Sequence, residues 1–225
     1  MNIKLNKRLT TISVFIENNS KVIDIGCDHG LLGIYLVLNK YISKMISSDI
    51  NEMPLNKAKE NIKKYNLEDK IETRLGDGIQ CIDENIDTII ISGIGGLTIN
   101  DILKDIKKHP YIKKIVISPN NEFVQTRKII SKLGFYLDKE SIISENGKYY
   151  LISCYIRGNS KKTDYFFGKL DFNNIDVCNY YKMLGEKNAK ILSNLGKKYI
   201  LKKIKLKYIN YIINRKIINK CKISK

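Results

Sequence analysis

The chain has little of what secreted, metal-stapled or membrane-bound folds depend on. Its five cysteines, at 27, 81, 154, 178 and 221, are odd in number, widely spaced and without a CxxC pair. That excludes a disulfide framework and points to a reducing cytosol. Only two histidines accompany them, so no zinc site and no metal is expected. No apolar run approaches the ~20 residues that a membrane-spanning helix needs. The opening Met1-Asn2-Ile3-Lys4-Leu5-Asn6-Lys7-Arg8 has neither the apolar core nor the small-residue cleavage site of a signal peptide. A cytoplasmic protein without membrane contact is expected. The sharpest absence is local: from Lys187 to Lys225 there is no Asp or Glu, against 13 Lys and Arg.

That absence locates the charge. The 225 residues carry a net charge of +17, yet the first 186 hold 27 basic and 23 acidic side chains. An Ile-, Lys- and Asn-rich chain reflects an AT-rich genome, which supplies lysine everywhere but does not remove acids from one segment only. Such asymmetry points to a polyanionic partner, and nucleic acid is favoured over a solvated surface. The remainder, 43% hydrophobic and 28% charged, is ordinary globular composition. At roughly 150 residues per domain the length suits one large domain and a small appendage.

Along the chain, residues 4–17 place apolar side chains at helical spacing. Val22-Ile23-Asp24-Ile25-Gly26 is a short apolar strand running into a glycine turn, and residues 31–38 are the helix behind it. Further strands are expected at 45–49, 71–75, 86–92 and 112–118, with helices at 54–65, 97–106 and 122–133. The segments 135–143 and 148–157 flank Glu145-Asn146-Gly147, whose Asn-Gly step predicts a hairpin. The alternation predicts an α/β fold, Rossmann-like, with a parallel sheet covered on both faces. Ligands then bind at the carboxyl ends of the strands, beside the point where strand order reverses.

Beyond a linker at 158–163 the period changes. Val177, Tyr181, Leu184, Asn188, Ile191 and Leu195 step by 4, 3, 4, 3, 4, and Leu201, Ile204, Tyr208 and Tyr211 by 3, 4, 3. These are heptad seams, so residues 161–225 are expected to form a basic helical hairpin, an antiparallel coiled coil, after an α/β domain at 1–160. The plainer alternative is two amphipathic helices packed on the domain.

The chemistry gathers at strand ends. Asp24-Ile25-Gly26-Cys27-Asp28-His29-Gly30 joins the first strand to a helix, and its glycines let a ligand approach the backbone. It is not G-x-G-x-x-G, which leaves nicotinamide dinucleotides as the rival. An acid two residues before the first glycine suits a cationic ligand, and S-adenosyl-L-methionine carries both an ammonium and a sulfonium. Asp49, with Ile50 beside it, closes the second strand, where a carboxylate can accept both hydrogen bonds of a ribose diol. Gly76-Asp77-Gly78 closes the third, where a carboxylate can accept from an adenine amine. Any one of these acids alone reads as a helix cap or loop residue; three on successive strands read as a site for an adenosine-containing cofactor. Ser92-Gly93-Ile94-Gly95-Gly96 and Ser118-Pro119-Asn120-Asn121 follow the fourth and fifth strands. The latter is either a base-contacting loop or an ordinary turn.

Together with Leu5-Asn6-Lys7-Arg8-Leu9, Glu145-Asn146-Gly147-Lys148-Tyr149-Tyr150 and Phe167-Gly168, these motifs resemble the bacterial tRNA adenine-N1 methyltransferases that modify position 22 in the D-arm. The resemblance runs over essentially the whole chain. It implies a Rossmann-like methyltransferase domain, S-adenosyl-L-methionine as donor, tRNA as partner and a C-terminal helical extension that helps hold it. Asp49 stands where the family has Glu, Asp77 where Asn is common and Ser118 where Gln precedes Pro-Asn; the first two keep their hydrogen-bonding role.

On this reading Asp24, Gly26, Gly30, Asp49, Ile50, Asp77, Gly78, Gly93 and Gly95 bind the cofactor. Asp28, His29 and Asn120 serve the reaction, and Lys7, Arg8, Pro119, Lys198 and Lys202 hold the RNA. His29 either stacks on the base or orients Asp28, or else caps the helix. Cys27 packs, because attack by adenine N1 needs no covalent adduct. A small-molecule methyltransferase or a non-catalytic RNA-binding module is the alternative function.

Overall fold

The computed structural model describes residues 3–39, 42–159, 163–196 and 198–221. In chain order these form α1 (Lys7–Val14), β1 (Val22–Ile25), α2 (Leu31–Asn39), β2 (Met45–Asp49), α3 (Glu52–Lys64), β3 (Ile71–Leu75), β4 (Thr88–Ser92), α4 (Gly96–Leu103), β5 (Lys114–Ser118), α5 (Phe123–Lys132), β6 (Phe135–Glu145), β7 (Lys148–Arg157), α6 (Ile175–Asn194) and α7 (Ile200–Lys220). One seven-stranded sheet runs β3-β2-β1-β4-β5-β7-β6. The pairings of β1 with β2 and β4, of β2 with β3 and of β4 with β5 are parallel, and β7 lies antiparallel to β5. Strand order reverses between β1 and β4, so the crevice opens there.

Short Ile- and Val-rich strands drive this arrangement. β1, β2 and β5 are buried along their whole length, as strands covered on both faces must be. Ile23, Ile25, Ile89, Ile91, Ile115 and Ile117 from three adjacent strands form the centre of one core, with Ile99 and Leu103 of α4 packed against it. The β6–β7 connection is the two-residue Asn146-Gly147 turn, both with positive φ (50° and 72°), the geometry the Asn-Gly step predicts. Gly134, at φ 92°, follows the C-cap Leu133 and ends α5 in the left-handed conformation.

The chain divides into two compact units, residues 1–140 with 150–169, and residues 141–149 with 170–225; the sequence places the division at 160/161. The first unit holds the parallel sheet. In the second, α6 turns the expected face inward: Val177, Tyr181 and Asn188 are buried. The seam expected on α7 is not found. Leu201, Ile204, Tyr208 and Tyr211 are exposed, Leu201 at 84%. The packed face instead contains Ile213, which approaches Gly185 of α6, and Asn210, whose amide donates to the Gly185 carbonyl. α7 carries apolar residues on more than one face, so periodicity marks a stripe without selecting which one packs.

The cysteine reading also needs correction. Cys178 and Cys221 form a disulfide, with Cα atoms 6.1 Å apart across 43 residues of sequence. The antiparallel return of α7 beside α6 brings them together, a proximity that spacing does not show. Cys27, Cys81 and Cys154 are free and buried. Among the described residues no helix is long and apolar enough to cross a membrane, and no group of three or more His, Cys, Asp or Glu can hold a metal.

Candidate active site

The site begins where β1 ends. Asp24, in the third position of that strand, is 3% exposed. Burial and the neighbouring Asp49 push its carboxyl up to about 7, against the opposing positive charge of Arg8. The strand then turns: the N–H groups of Gly26 and Cys27 both donate to the Ser48 carbonyl, each at 2.9 Å. Gly26 takes φ 75°, and a Cβ built on it meets nothing within 4 Å. Its glycine therefore serves the backbone conformation and leaves open space in front of it. Asp28 adopts φ 51°, an uncommon conformation for a residue with a side chain, and such conformations concentrate at functional sites. His29 lies 3.7 Å from the Asp28 carboxylate. Its carbonyl accepts from Asn61 of α3, which ties this loop to the next helix. Gly30 packs on Ala58, whose Cβ lies 3.0 Å from where a glycine Cβ would stand.

Asp49 joins two loops. One carboxylate oxygen accepts from Asn51 N–H at 2.9 Å at the start of α3, and the other lies 3.4 Å from Asp28 N–H. Its carbonyl accepts from Gly76 N–H, so the end of β2 fixes the end of β3. At Gly76 a side chain would collide with Cys81, 2.5 Å away. Asp77 begins the following 3-10 turn without capping it through its side chain, and it lines the cavity described below.

The opposite wall is made by β4 and β5. Gly93 takes φ 81° and donates to the Ser118 carbonyl. Asn120 returns two hydrogen bonds to that loop, from its side-chain amide to the Gly93 carbonyl (2.7 Å) and from its N–H to the Ile94 carbonyl (2.9 Å). Asn121 accepts from Gly96 N–H at 2.9 Å, satisfying a donor of the first turn of α4. Gly96 has no room for a side chain, with Thr126 Oγ1 at 2.5 Å.

These walls enclose a cavity of about 580 Å³, a size usual for small-molecule and cofactor sites. Of the residues singled out in the sequence, Arg8, Asp24, Gly26, Asp28, His29, Asp49, Ile50, Asp77, Gly78 and Gly93 line it. Gly30, Gly95, Pro119 and Asn120 are not among its lining residues; Pro119 is buried, and Lys7, Lys198 and Lys202 are exposed. Asn6 and Leu9 at the start of α1 also line the cavity, as do Thr98 and Ile102 of α4. Sequence reasoning assigns none of these four to the site, although the 3- and 4-residue spacing of Thr98 and Ile102 after Gly95 marks one helix face. Burial, Asp24 and Asp49 push the Cys27 thiol up, which disfavours the thiolate that a nucleophile requires. The Arg8 guanidinium lies against Gly93 and over the Tyr150 ring, 5.3 Å from its centroid.

Comparison with known proteins agrees with this geometry. The methyltransferase-domain family matches residues 5–153. The chain is 37% identical over 150 residues to the tRNA (adenine(22)-N(1))-methyltransferase of Bacillus subtilis, a match covering 66% of this chain and 63% of that protein. Thus the matched segment spans less than two thirds of that relative's length. The crystal structure of the B. subtilis M1A22 tRNA methyltransferase TrmK superposes with a TM-score of 0.85 at 27% identity, over 96% of this chain and 100% of that one. M. capricolum TrmK, solved with S-adenosyl-homocysteine, gives a TM-score of 0.85 at 28% identity, over 95% and 98%.

Proposed function

The chain belongs to the methyltransferase-domain family, and from that premise we propose that it transfers a methyl group from S-adenosyl-L-methionine to N1 of the adenine at position 22 of tRNA, the reaction named for its B. subtilis relative. The observation that carries this reading is the convergence of Asp24, Asp49 and Asp77 from three strand ends on one cavity. Their chemistry fits the donor: Asp24 for the ammonium, Asp49 for the ribose hydroxyls and Asp77 for the adenine amine. A dinucleotide pyrophosphate would instead meet Asp24 and the absence of G-x-G-x-x-G. Gly26, with open space before it, lets the ligand reach the backbone, while Gly78 and Gly93 make room at the cavity wall for Ile102 and the Arg8 guanidinium; Ile50 covers the ligand, and Gly30 and Gly95 hold their loops.

When bound, S-adenosyl-L-methionine supplies an activated methyl group. The acceptor, adenine N1, carries its own lone pair, so no side chain must remove a proton before transfer. The work of the chain is orientation and exclusion of water. N1 lies on the pairing edge, so the base must be unpaired and turned out into the cavity, at a cost of a few kcal/mol. The methylated base is a cation. Asp28 at the rim balances that charge, and His29 beside it orients the carboxylate. Asn120 holds the Gly93 carbonyl at the acceptor side, and the buried Pro119 fixes the loop that presents Asn120.

The RNA is held by shape and backbone contacts. Lys7 on α1, with Lys198 and Lys202 in the acid-free C-terminal segment, supplies the cations. The division of labour proposed is a methyltransferase domain at 1–160 and a tRNA-holding extension at 161–225. The chain acts in the cytoplasm, where tRNA is available.

The test is methyl transfer to an unmodified tRNA transcript with adenine at position 22, beside one with that base changed, followed by nucleoside mass spectrometry. N1-methyladenosine in the first alone supports the reading. Methylation elsewhere keeps the enzyme class and discards the position. No methylation of any tRNA by a chain that binds the cofactor discards the substrate.

A further inference from the structure

One apolar stripe of α7 is packed, and another is left facing solvent. The packed stripe runs through Ile213, which is buried and approaches Gly185 of α6. The other comprises Leu201, Ile204, Tyr208, Tyr211, Arg215 and Ile218, spaced 3, 4, 3, 4, 3. At about 100° per residue these six fall within an arc of about 100°, roughly opposite Ile213. Arg215 is exposed, and the other five are between 59% and 84% exposed. At ~1.5 Å per residue the stripe runs along about 25 Å of helix. Exposed Lys205 and Lys207 border it, one on each side. α7 carries seven Lys and Arg and no Asp or Glu.

A contiguous exposed seam of this kind marks an interaction surface. We propose that it docks an acidic amphipathic helix of another protein, packed along α7 as in a coiled coil. A seam with 3- and 4-residue steps is matched by a helix of the same spacing, whose apolar side chains enter between those of α7. The flanks set the sign of the partner: acids at its edge positions meet Lys205 and Lys207. A second copy of the chain is disfavoured, since two α7 helices would set seven cations against seven. Nucleic acid matches the charge, but its bases stack on aromatic rings, and only two of the six positions are aromatic. Leu201, Ile204 and Ile218 suit apolar side chains instead. A lipid surface takes a helix with its cations on the polar face, whereas Arg215 lies within the apolar one. Arg215 calls for an acid opposite it in the partner, and one such polar pair fixes the register of a seam.

The probe is a labelled synthetic peptide of about 21 residues, three heptads with Leu at a and d and Glu at e and g. Like charges keep it from pairing with itself. One control is the same residues scrambled to destroy the seam; the other keeps the seam and has Lys at e and g. Fluorescence anisotropy with the full chain at physiological salt should show the acidic seam peptide bound on the order of tenfold more tightly than the scramble, and the lysine peptide bound least. Ile204→Ser with Tyr208→Ser should remove the preference for seam over scramble. Both side chains are exposed, so the melting temperature should not change. Lys205→Glu with Lys207→Glu should tighten binding of the lysine peptide severalfold and weaken the acidic one, a gain that misfolding does not produce. Equal binding of seam and scramble reduces the surface to bulk charge and overturns the proposal. So does binding of none of the peptides. If the serine variant keeps the peptide preference and instead loses affinity for a tRNA transcript or for phosphatidylglycerol vesicles, the stripe belongs to RNA or to a membrane, and the proposal fails.

Discussion

The side-chain amide of Asn120 donates to the main-chain carbonyl of Gly93 across 2.7 Å, joining the loop after β5 to the loop after β4. Asn120 is not among the residues lining the cavity, so its contribution is the position of the Gly93 backbone. Asn120→Ala should lower kcat about tenfold, the worth of one positioning hydrogen bond. Cofactor affinity should stay within about twofold of wild type. Asn120→Asp, which cannot donate, should behave like alanine. Steady-state kinetics beside cofactor titration separates this from a direct contact with the cofactor, which would move both.

Asp24 gives the site a pH dependence with a definite sign. Its folded-state pKa is raised to about 7 from an ordinary 3.8, so the empty fold keeps a proton that the unfolded chain has released. Stability of the empty chain therefore falls as pH rises from about 4 to about 7, by up to about 1.4 kcal/mol per pH unit, and levels above. Ligand affinity runs the other way. An ammonium needs the ionised carboxylate, so cofactor affinity should climb up to about tenfold per unit toward pH 7 and then flatten. Asp24→Asn should abolish both slopes, melt higher than wild type at pH 8 and bind no cofactor. Thermal unfolding and titration calorimetry across this range check both arms.

Arg127 and Glu140 form an ion pair whose side chains are 2% and 0% exposed. Glu140 also accepts from Ser153 and from Lys169 N–H, and Arg127 donates to the Tyr165 and Phe166 carbonyls. The pair thus fastens the segment around Phe167-Gly168 to the sheet. A side chain at Gly168 would run into both Glu140 and Arg127, which explains a glycine that the sequence shows only as a motif. Removing one partner strands a buried charge, so Glu140→Leu or Arg127→Met should each destabilise by about 3–5 kcal/mol. The double variant should lose less than the sum. Urea denaturation measures all three.

The parallel sheet was legible because β1, β4 and β5 are short Ile- and Val-rich runs and strands alternate with helical segments along the first part of the chain. The carboxylate triad was legible because strand ends place acids at one edge. Other features depend on side chains meeting across the fold. Arg8 reads as one more surface cation until Gly93 and Tyr150 are set beside it. Asn120 reads as a base contact until its amide is seen bonded to Gly93. The Cys178–Cys221 pair depends on the return of α7 along α6, and the packed face of α7 on which of its apolar stripes meets Gly185. Periodicity carries none of these relations, since each is fixed by a partner distant in sequence.

The acid-free segment from Lys187 onward makes the role assigned to the C-terminal helices measurable. If its lysines neutralise tRNA phosphates, each neutralised phosphate releases counterions, and affinity must fall linearly with salt on logarithmic axes. Lys198→Ala with Lys202→Ala should weaken tRNA binding and make that slope shallower by about 2, roughly one for each phosphate left without its lysine. Both residues are exposed, so the substitutions should leave the fold intact, and affinity for S-adenosyl-L-methionine should not change. A Cys178→Ser variant, which removes the disulfide, keeps every one of these charges, so its salt slope should match that of the wild-type chain even if its melting temperature falls. An unchanged slope in the lysine variant would take these two residues out of the RNA interface, because a cation that meets a phosphate cannot be deleted without altering the ions released.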